Sequence, residues 1–299
     1  MLQINDLSVN YSGKPVVKQI SMQVKEKQIV VIVGESGSGK STLLRSIIGL
    51  LGENGTIASG EIMFNQWNLR NLSYEAFRKI RGYDIAMVFQ NPESFFDPTM
   101  RIEKQFYEFM KMHQDITKAE ARKQVLALLT ELQFGDPARV LGSYPFELSG
   151  GMCQRLAIAF AMANRPKLMM ADEPTSALDV TVQAEIIHLM LQMHRQYGTS
   201  LLFVTHNMAI VEKIADIVGV MYCGRLVEWG TKDEVLYHAR HPYTQILLKA
   251  VPKLGKEMVE ASVLCENHGK AGFKFEMTPV AEGRNERKYF SQTHWALLG

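Results

Sequence analysis

The alternation of apolar and polar positions makes the chain open as a β protein and continue as an α/β one. Leu2 and Ile4, then Leu7, Val9 and Tyr11, and later Ile20, Met22 and Val24 recur at about two-residue spacing, the pattern of half-buried strands. Residues 29–33 differ: they are a continuous β-branched run, as expected of a strand buried on both faces. Similar runs at 60–64, 85–89, 168–171, 200–204 and 218–222 predict further strands, with helix-period segments between several of them. Buried strands alternating with helices predict an α/β sheet, here with an antiparallel β portion ahead of it.

Between residues 91 and 163 the character is helical, which predicts an α-helical insert between two sheet segments. Residues 101–113 are amphipathic, Thr117 and Glu120 have capping-box spacing ahead of a helix to Gln133, and Asp136-Pro137 reads as an N-cap with proline at the first helical position. Ser73 is the expected cap of an earlier short helix. Cys223-Gly224 is the expected turn of a hairpin, Thr231 to Glu234 cap a closing helix, and His241-Pro242-Tyr243-Thr244 opens a short one through Ala250. From Gly255 onward no period is legible, and an appended tail that packs on its neighbour or is partly disordered is expected.

Chemistry enters after the strand at 29–33. Gly34-Glu35-Ser36-Gly37-Ser38-Gly39-Lys40-Ser41 fits the phosphate-loop pattern at every fixed position, and Thr42 begins the helix-like run that follows. Glycines let main-chain N–H groups curl around phosphate oxygens while the helix points its unsatisfied N–H groups and positive end the same way. Lys40 is then placed to reach the outer phosphates, and the Ser41 hydroxyl to take one position on Mg²⁺. Upstream, Tyr11 reads either as an ordinary strand aromatic or as a ring that stacks on a purine.

Other strand ends carry polar groups of the same tendency. Gln90 follows the run at 85–89 and is either a loop amide or a group at the ligand edge of an open sheet. The strand at 168–171 ends in Asp172 and Glu173, where Asp172 suits Mg²⁺ and Glu173 is placed to polarise a water for in-line attack; a solvated acidic turn is the alternative. His206 ends the next strand, either as a structural histidine or converging on the same crevice. Leu148-Ser149-Gly150-Gly151-Met152 opens a second helix with Ser149 as N-cap and a sterically open end, a second anion site in one chain. Two such helix ends with one nucleotide motif suggest that they serve different copies.

Composition narrows the class. The 299 residues allow one large domain plus an appendage, and a net charge of +2 gives no polybasic footprint for nucleic acid. No apolar run approaches transmembrane length, and no signal-peptide pattern is present, so membrane work is expected to proceed through partners. Cys153, Cys223 and Cys265 are an odd, widely spaced set without CxxC, which suits a reducing compartment and offers no zinc site.

In this order the segments resemble the ATP-binding subunit of an ABC transporter, over about residues 1–235. The resemblance identifies a Walker A at Gly34 to Ser41, an A-loop at Tyr11, a Q-loop at Gln90, a signature at Leu148 to Met152, a Walker B ending in Asp172-Glu173, a D-loop at Ser176-Ala177-Leu178-Asp179 and an H-loop at His206. It implies a phosphate-loop (RecA-like) α/β core over 1–235 with a helical subdomain at about 91–163, and an extension over 236–299. It also implies that Tyr11 and Gly34 to Thr42 bind ATP, and that Ser41, Gln90 and Asp172 hold Mg²⁺. Glu173, His206 and Gln90 would serve hydrolysis, with His206 on the γ-phosphate. Two ATPase subunits would sandwich two ATP molecules, each between one Walker A and the other chain's signature.

Met152, and His241-Pro242-Tyr243-Thr244 with Leu247, Leu248 and Pro252, look like the peptide and nickel importer branch. That branch implies a place on the cytoplasmic face of the membrane, beneath two permease subunits. A paralogous ATPase or a second copy would be the other cassette, with an extracytoplasmic binding protein acting indirectly. Relatives often carry a cysteine cluster after this segment; here only Cys265 stands there, so no iron–sulfur cluster is expected, and nothing fixes a spacing by which His268 and His294 would join it on a metal. Residues 84–87 and 144–148 lean toward uptake of nickel or a metal chelate. Dipeptide or oligopeptide import is the alternative, and an accessory ATPase of a carbon–phosphorus lyase complex is an alternative of another class.

Overall fold

The computed structural model describes residues 1–176, 178–250 and 286–298. β1 (Leu2–Tyr11) and β2 (Lys14–Val24) form an antiparallel hairpin with Leu2, Ile4, Leu7 and Val9 turned inward. The three-residue step from Ile4 to Leu7 breaks strict alternation because the register shifts there, with Asp6 at φ 45°; this bulge returns Leu7 to the inner face. β3 (Ile29–Val33) is wholly buried and leads through the glycine loop into α1 (Lys40–Ile47). β4 (Gly55–Phe64) and the short β5 (Trp67–Asn68) return to the first sheet, whose order is β2-β1-β4-β5.

α2 (Tyr74–Ile80), capped by the Ser73 hydroxyl accepting from Ala76 N–H, leads to β6 (Ile85–Val88). The helical insert follows as α3 (Ile102–Lys111), α4 (Lys118–Glu131), α5 (Pro137–Gly142) and α6 (Gly150–Met162). Its starts are those the capping chemistry predicts: the Thr117–Glu120 box closes in both directions, and Asp136 accepts from Arg139 N–H. Next come β7 (Leu168–Asp172), α7 (Val180–Tyr197), β8 (Ser200–Thr205), α8 (Met208–Ile214), β9 (Ile217–Tyr222), β10 (Arg225–Thr231), α9 (Lys232–Tyr237) and α10 (Pro242–Lys249). α7 ends at Gly198, whose φ of 69° is the left-handed cap that glycine adopts without strain.

Among the described residues the second sheet has eight strands in the order β11-β12-β10-β9-β3-β8-β7-β6, where β11 is Arg287–Tyr289 and β12 is Trp295–Leu297. From β9 to β6 all pairings are parallel, and β10, β12 and β11 extend the sheet antiparallel. Alternate residues of the parallel strands enter two cores. Val30, Ile32, Met170 and Val204 pack with α1 and the inner face of the antiparallel sheet. Val31, Val33, Ala171 and Phe203 pack with the helical insert, α7 and α8. This two-sided burial is why these strands read as unbroken apolar runs.

Residues 286–298 pack on the main sheet, one of the two outcomes expected for the region from Gly255 onward. β12 pairs with β10, Trp229 opposite Trp295, so residues 295–297 are part of the main sheet. Cys265 and His268 lie outside the described residues, as does Ala177; His294 is buried, with Nε2 2.8 Å from Glu228 Oε1.

Candidate active site

Parallel registers place the chemistry-bearing strand ends side by side. Val33 of β3 is level with Thr205 of β8, Asp172 of β7 with Val204, and Val88 of β6 with Ala171. Gly34, His206, Glu173 and Gln90 therefore leave the sheet at one edge, its carboxyl edge, where open α/β sheets bind ligands.

The glycine loop is held from outside. Gly37 and Gly39 have φ of 80° and 101°. A Cβ at Gly39 would stand 3.0 Å from Val16 O, and one at Gly34 only 2.2 Å from Met221 O, so β2 and β9 both press on the loop. Gly224 N–H donates to Ser38 O and Lys18 N–H to Gly224 O, which ties the β9–β10 turn to the loop and to β2. The end of the β1–β2 hairpin thus abuts the loop; Tyr11 closes β1, half-buried, opposite Lys14 and Gly55.

Lys40 is 4% exposed and donates to Gly34 O and Glu35 O, both at 2.8 Å. Burial pushes its ammonium below the ordinary lysine range, against the pull of Glu173, Asp172 and Glu35. Ser41 Oγ donates to Asp172 Oδ1 at 2.8 Å, and burial raises the Asp172 carboxyl above its usual range although that hydrogen bond opposes it. The Ser38 hydroxyl is buried in the loop with no hydrogen-bond partner among the described residues. A buried cation and a buried orphan hydroxyl at the N-terminal end of α1 suit a polyanion such as a polyphosphate.

Glu173 stands between two cationic or potentially cationic groups. Its Oε1 lies 3.9 Å from Lys40 Nζ and its Oε2 3.1 Å from His206 Nδ1. Its backbone has φ 45°, a left-handed conformation uncommon for a glutamate, fixed by its N–H donating to Val204 O and by Ser176 N–H and Oγ donating to its carbonyl. That kink turns the chain off β7 and brings the Glu173 carboxylate beside His206. His206 is 63% exposed and Gln90 is exposed just beyond β6.

The second helix end lies elsewhere. Ser149 accepts from Met152 N–H and caps α6, and Arg155 of α6 is ion-paired with Glu185 of α7. α6 belongs to the core on one face of the parallel sheet and α1 to the core on the other. Leu148 and Met152 are partly buried against the α6 side. Asp179 accepts from Thr181 and Val182 N–H as the cap of α7.

One contact was not legible as part of the site. Glu35 N–H donates to the Tyr243 hydroxyl of α10 at 3.1 Å. Their separation in sequence hides it, and only the placement of α10 behind β9 and β10 brings them together.

The ABC transporter family model matches residues 17–176, and that of the oligopeptide/dipeptide transporter C-terminal region matches residues 227–268. A dipeptide transport ATP-binding protein of Lactococcus lactis subsp. cremoris is 42% identical over 257 residues, 84% of this chain and 74% of that protein. An oligopeptide transport ATP-binding protein of Bacillus subtilis is 40% identical over 259 residues, covering 85% of this chain and 72% of its own length. Among solved structures, a dimeric post-hydrolysis ATP-binding cassette bound to ADP and Pi superposes with a TM-score of 0.69 at 26% identity, covering 78% of this chain and 99% of that one. With a phosphate loop set against an acidic strand end, and matches on both the core and the extension, the chain belongs to the ABC transporter family as an ATP-binding ATPase subunit of the oligopeptide/dipeptide (peptide/nickel) branch.

Proposed function

We propose that this ATPase energises import of short peptides, working on the cytoplasmic face of the membrane beneath two permease subunits. The match over residues 227–268 and the dipeptide and oligopeptide transport relatives favour peptide over the nickel or metal-chelate cargo expected from residues 84–87 and 144–148. Cargo is chosen by the permeases and an extracytoplasmic binding protein, so this chain's own residues speak to the ATPase cycle. Among the described residues, no helix is long and apolar enough to cross a membrane.

The observation that carries the mechanism is the place of Glu173 between Lys40 and His206 at the sheet's carboxyl edge. In our reading Gly34 to Thr42 wrap the phosphates, Lys40 leaves its carbonyl partners for the outer phosphate oxygens, and Tyr11 stacks on the purine. Glu173 accepts a proton from the attacking water, and His206 orients that carboxylate and the γ-phosphate. The Ser41 hydroxyl and the Asp172 carboxylate, with Gln90, supply the hard oxygen donors that suit Mg²⁺. When bound, Mg²⁺ would neutralise charge on the phosphates.

Placing α1 and α6 on opposite faces of the sheet supports reading Leu148 to Met152 as a phosphate site for a partner cassette, a paralogue or a second copy, with the Ser176 to Asp179 segment at that junction. The core over 1–235 and the extension from 236 would then carry hydrolysis and branch-specific contacts respectively. The experiment is uptake in cells lacking the gene. Loss of labelled di- or oligopeptide uptake, restored by the wild type but not by Lys40→Ala, is expected. Normal peptide uptake with lowered cellular nickel would move the cargo to the metal alternative, and copurification with soluble lyase subunits instead of permeases would remove transport altogether.

A further inference from the structure

The first peptide of the phosphate loop is gripped at both ends. Its carbonyl, Gly34 O, accepts from Lys40 Nζ at 2.8 Å; its N–H, on Glu35, donates to Tyr243 Oη at 3.1 Å. Lys40 belongs to the loop's own helix, whereas Tyr243 comes from the extension, 208 residues further along the chain. Lys40 holds the carbonyl side of this peptide from within the loop, and Tyr243 holds its N–H side from outside.

Tyr243 is built to be that partner. Its ring is buried, with its centroid 4.2 Å from that of Tyr222 at the end of β9. Its own N–H donates to His241 Nδ1, and the N–H groups of Arg240 and His241 donate to the fully buried Glu228 carboxylate, which also meets His294 Nε2. The start of α10 is thus fixed to β10 and, through His294, to the last hairpin. Burial pushes the Tyr243 phenol up to about 12, so it remains a neutral hydroxyl able to accept from Glu35.

We propose that Tyr243 is a positioning residue of the nucleotide site: by accepting from Glu35 N–H it sets the first peptide of the phosphate loop, and so the approach of Lys40 and the loop amides to ATP. Hydrogen bonds running from His294 through Glu228 and the start of α10 to Glu35 make the extension part of the nucleotide site's scaffold. The proposal rests on the reading of residues 34–41 as the phosphate site.

Tyr243→Phe in the intact chain keeps the ring and its packing on Tyr222 and deletes the hydroxyl that accepts from Glu35 N–H. Loss of one such bond should raise the dissociation constant for Mg-ATP, and the KM of hydrolysis, by about threefold to tenfold with kcat nearly unchanged. The Glu35 amide should exchange faster, while the melting midpoint without nucleotide stays close to wild type. Lys40→Ala, measured alongside, tests the underlying reading. Wild-type affinity in Lys40→Ala overturns the phosphate site, and the proposal with it. Lost affinity in Lys40→Ala but wild-type affinity and Glu35 exchange in Tyr243→Phe overturns the proposal alone. So does a fall in affinity matched by a broad loss of melting stability, since the tyrosine would then be only a packing residue; in that event Tyr243→Met should do the same.

Discussion

The Ser41 hydroxyl donates to Asp172 Oδ1 at 2.8 Å, joining the first turn of α1 to the last residue of β7 across 131 residues of sequence. The Asp172 carboxyl is thereby held where water does not help it ionise, and burial raises it above the ordinary carboxylate range.

Asp172→Asn therefore separates stability from function. A carboxyl whose folded pKa lies above its unfolded one lends proton-linked stability that is full below the ordinary carboxylate range and is lost as pH rises through the raised value. Above that value the wild type carries a desolvated charge that asparagine lacks, while the amide oxygen still accepts from Ser41. Without nucleotide, the variant should melt higher by on the order of a few °C near neutral pH, with the gap closing on acidification. Its Mg²⁺-dependent hydrolysis should be largely lost. Differential scanning calorimetry across pH, with a phosphate-release assay, checks both halves.

Glu173→Gln keeps the shape that the left-handed turn requires and removes the basic oxygen. Turnover should fall by about two orders of magnitude or more, the scale of a lost general base, while Mg-ATP still binds. Hydrolysis within threefold of wild type, on the order of 0.7 kcal/mol in barrier, would take Glu173 out of the proton-transfer role.

Ser149→Arg should stop hydrolysis in the assembled transporter yet leave nucleotide affinity in the isolated chain within about twofold of wild type. That chain's own ATP would rest on Lys40, whose loss to alanine should cost about tenfold or more in affinity, as for a charge-assisted contact. Equal losses of affinity in Ser149→Arg and Lys40→Ala would mean that the signature serves its own chain's nucleotide.

His294→Ala removes a partner from a carboxylate that is wholly out of water, a change worth about 2 kcal/mol for a hydrogen bond to a charged group. Amide exchange should speed up in residues 286–298 and at the start of α10, and leave α4 untouched. Exchange by mass spectrometry resolves the segments; uniform acceleration throughout the chain would instead mean global destabilisation.

The parts legible in the sequence are those written in adjacent residues. Gly34 to Ser41 announce a loop because the glycines and the lysine must lie within one turn of each other, and the runs before Gln90, Asp172 and His206 announce strands because burial on two faces leaves no polar position. Caps such as Ser73, Thr117 and Asp136 were legible for the same local reason. The grip of Tyr243 on Glu35 and the docking of β12 on β10 were not. Both depend on how elements far apart in the chain meet, and β11 and β12 are too short, at three residues each, for a period to emerge. Glu173 was legible as an acid at a strand end, but its bond to His206 needed a backbone turn that no pattern encodes.

Because β12 supplies the strand that covers β10, the order of synthesis matters to this sheet. When β10 leaves the ribosome its outer edge lacks β12, and Glu228 lacks the histidine it meets in the folded protein. A nascent chain, or one ended by a premature stop after α10, offers that edge to any extended segment it encounters. In the folded protein the outermost of the described strands, β11, is short, with Arg287 and Lys288 and without an apolar stripe, which makes it a poor template for further strands. Residues 287–297 thus close the β10 edge of the sheet, and alleles truncated between α10 and β11 should aggregate before they fail as ATPases.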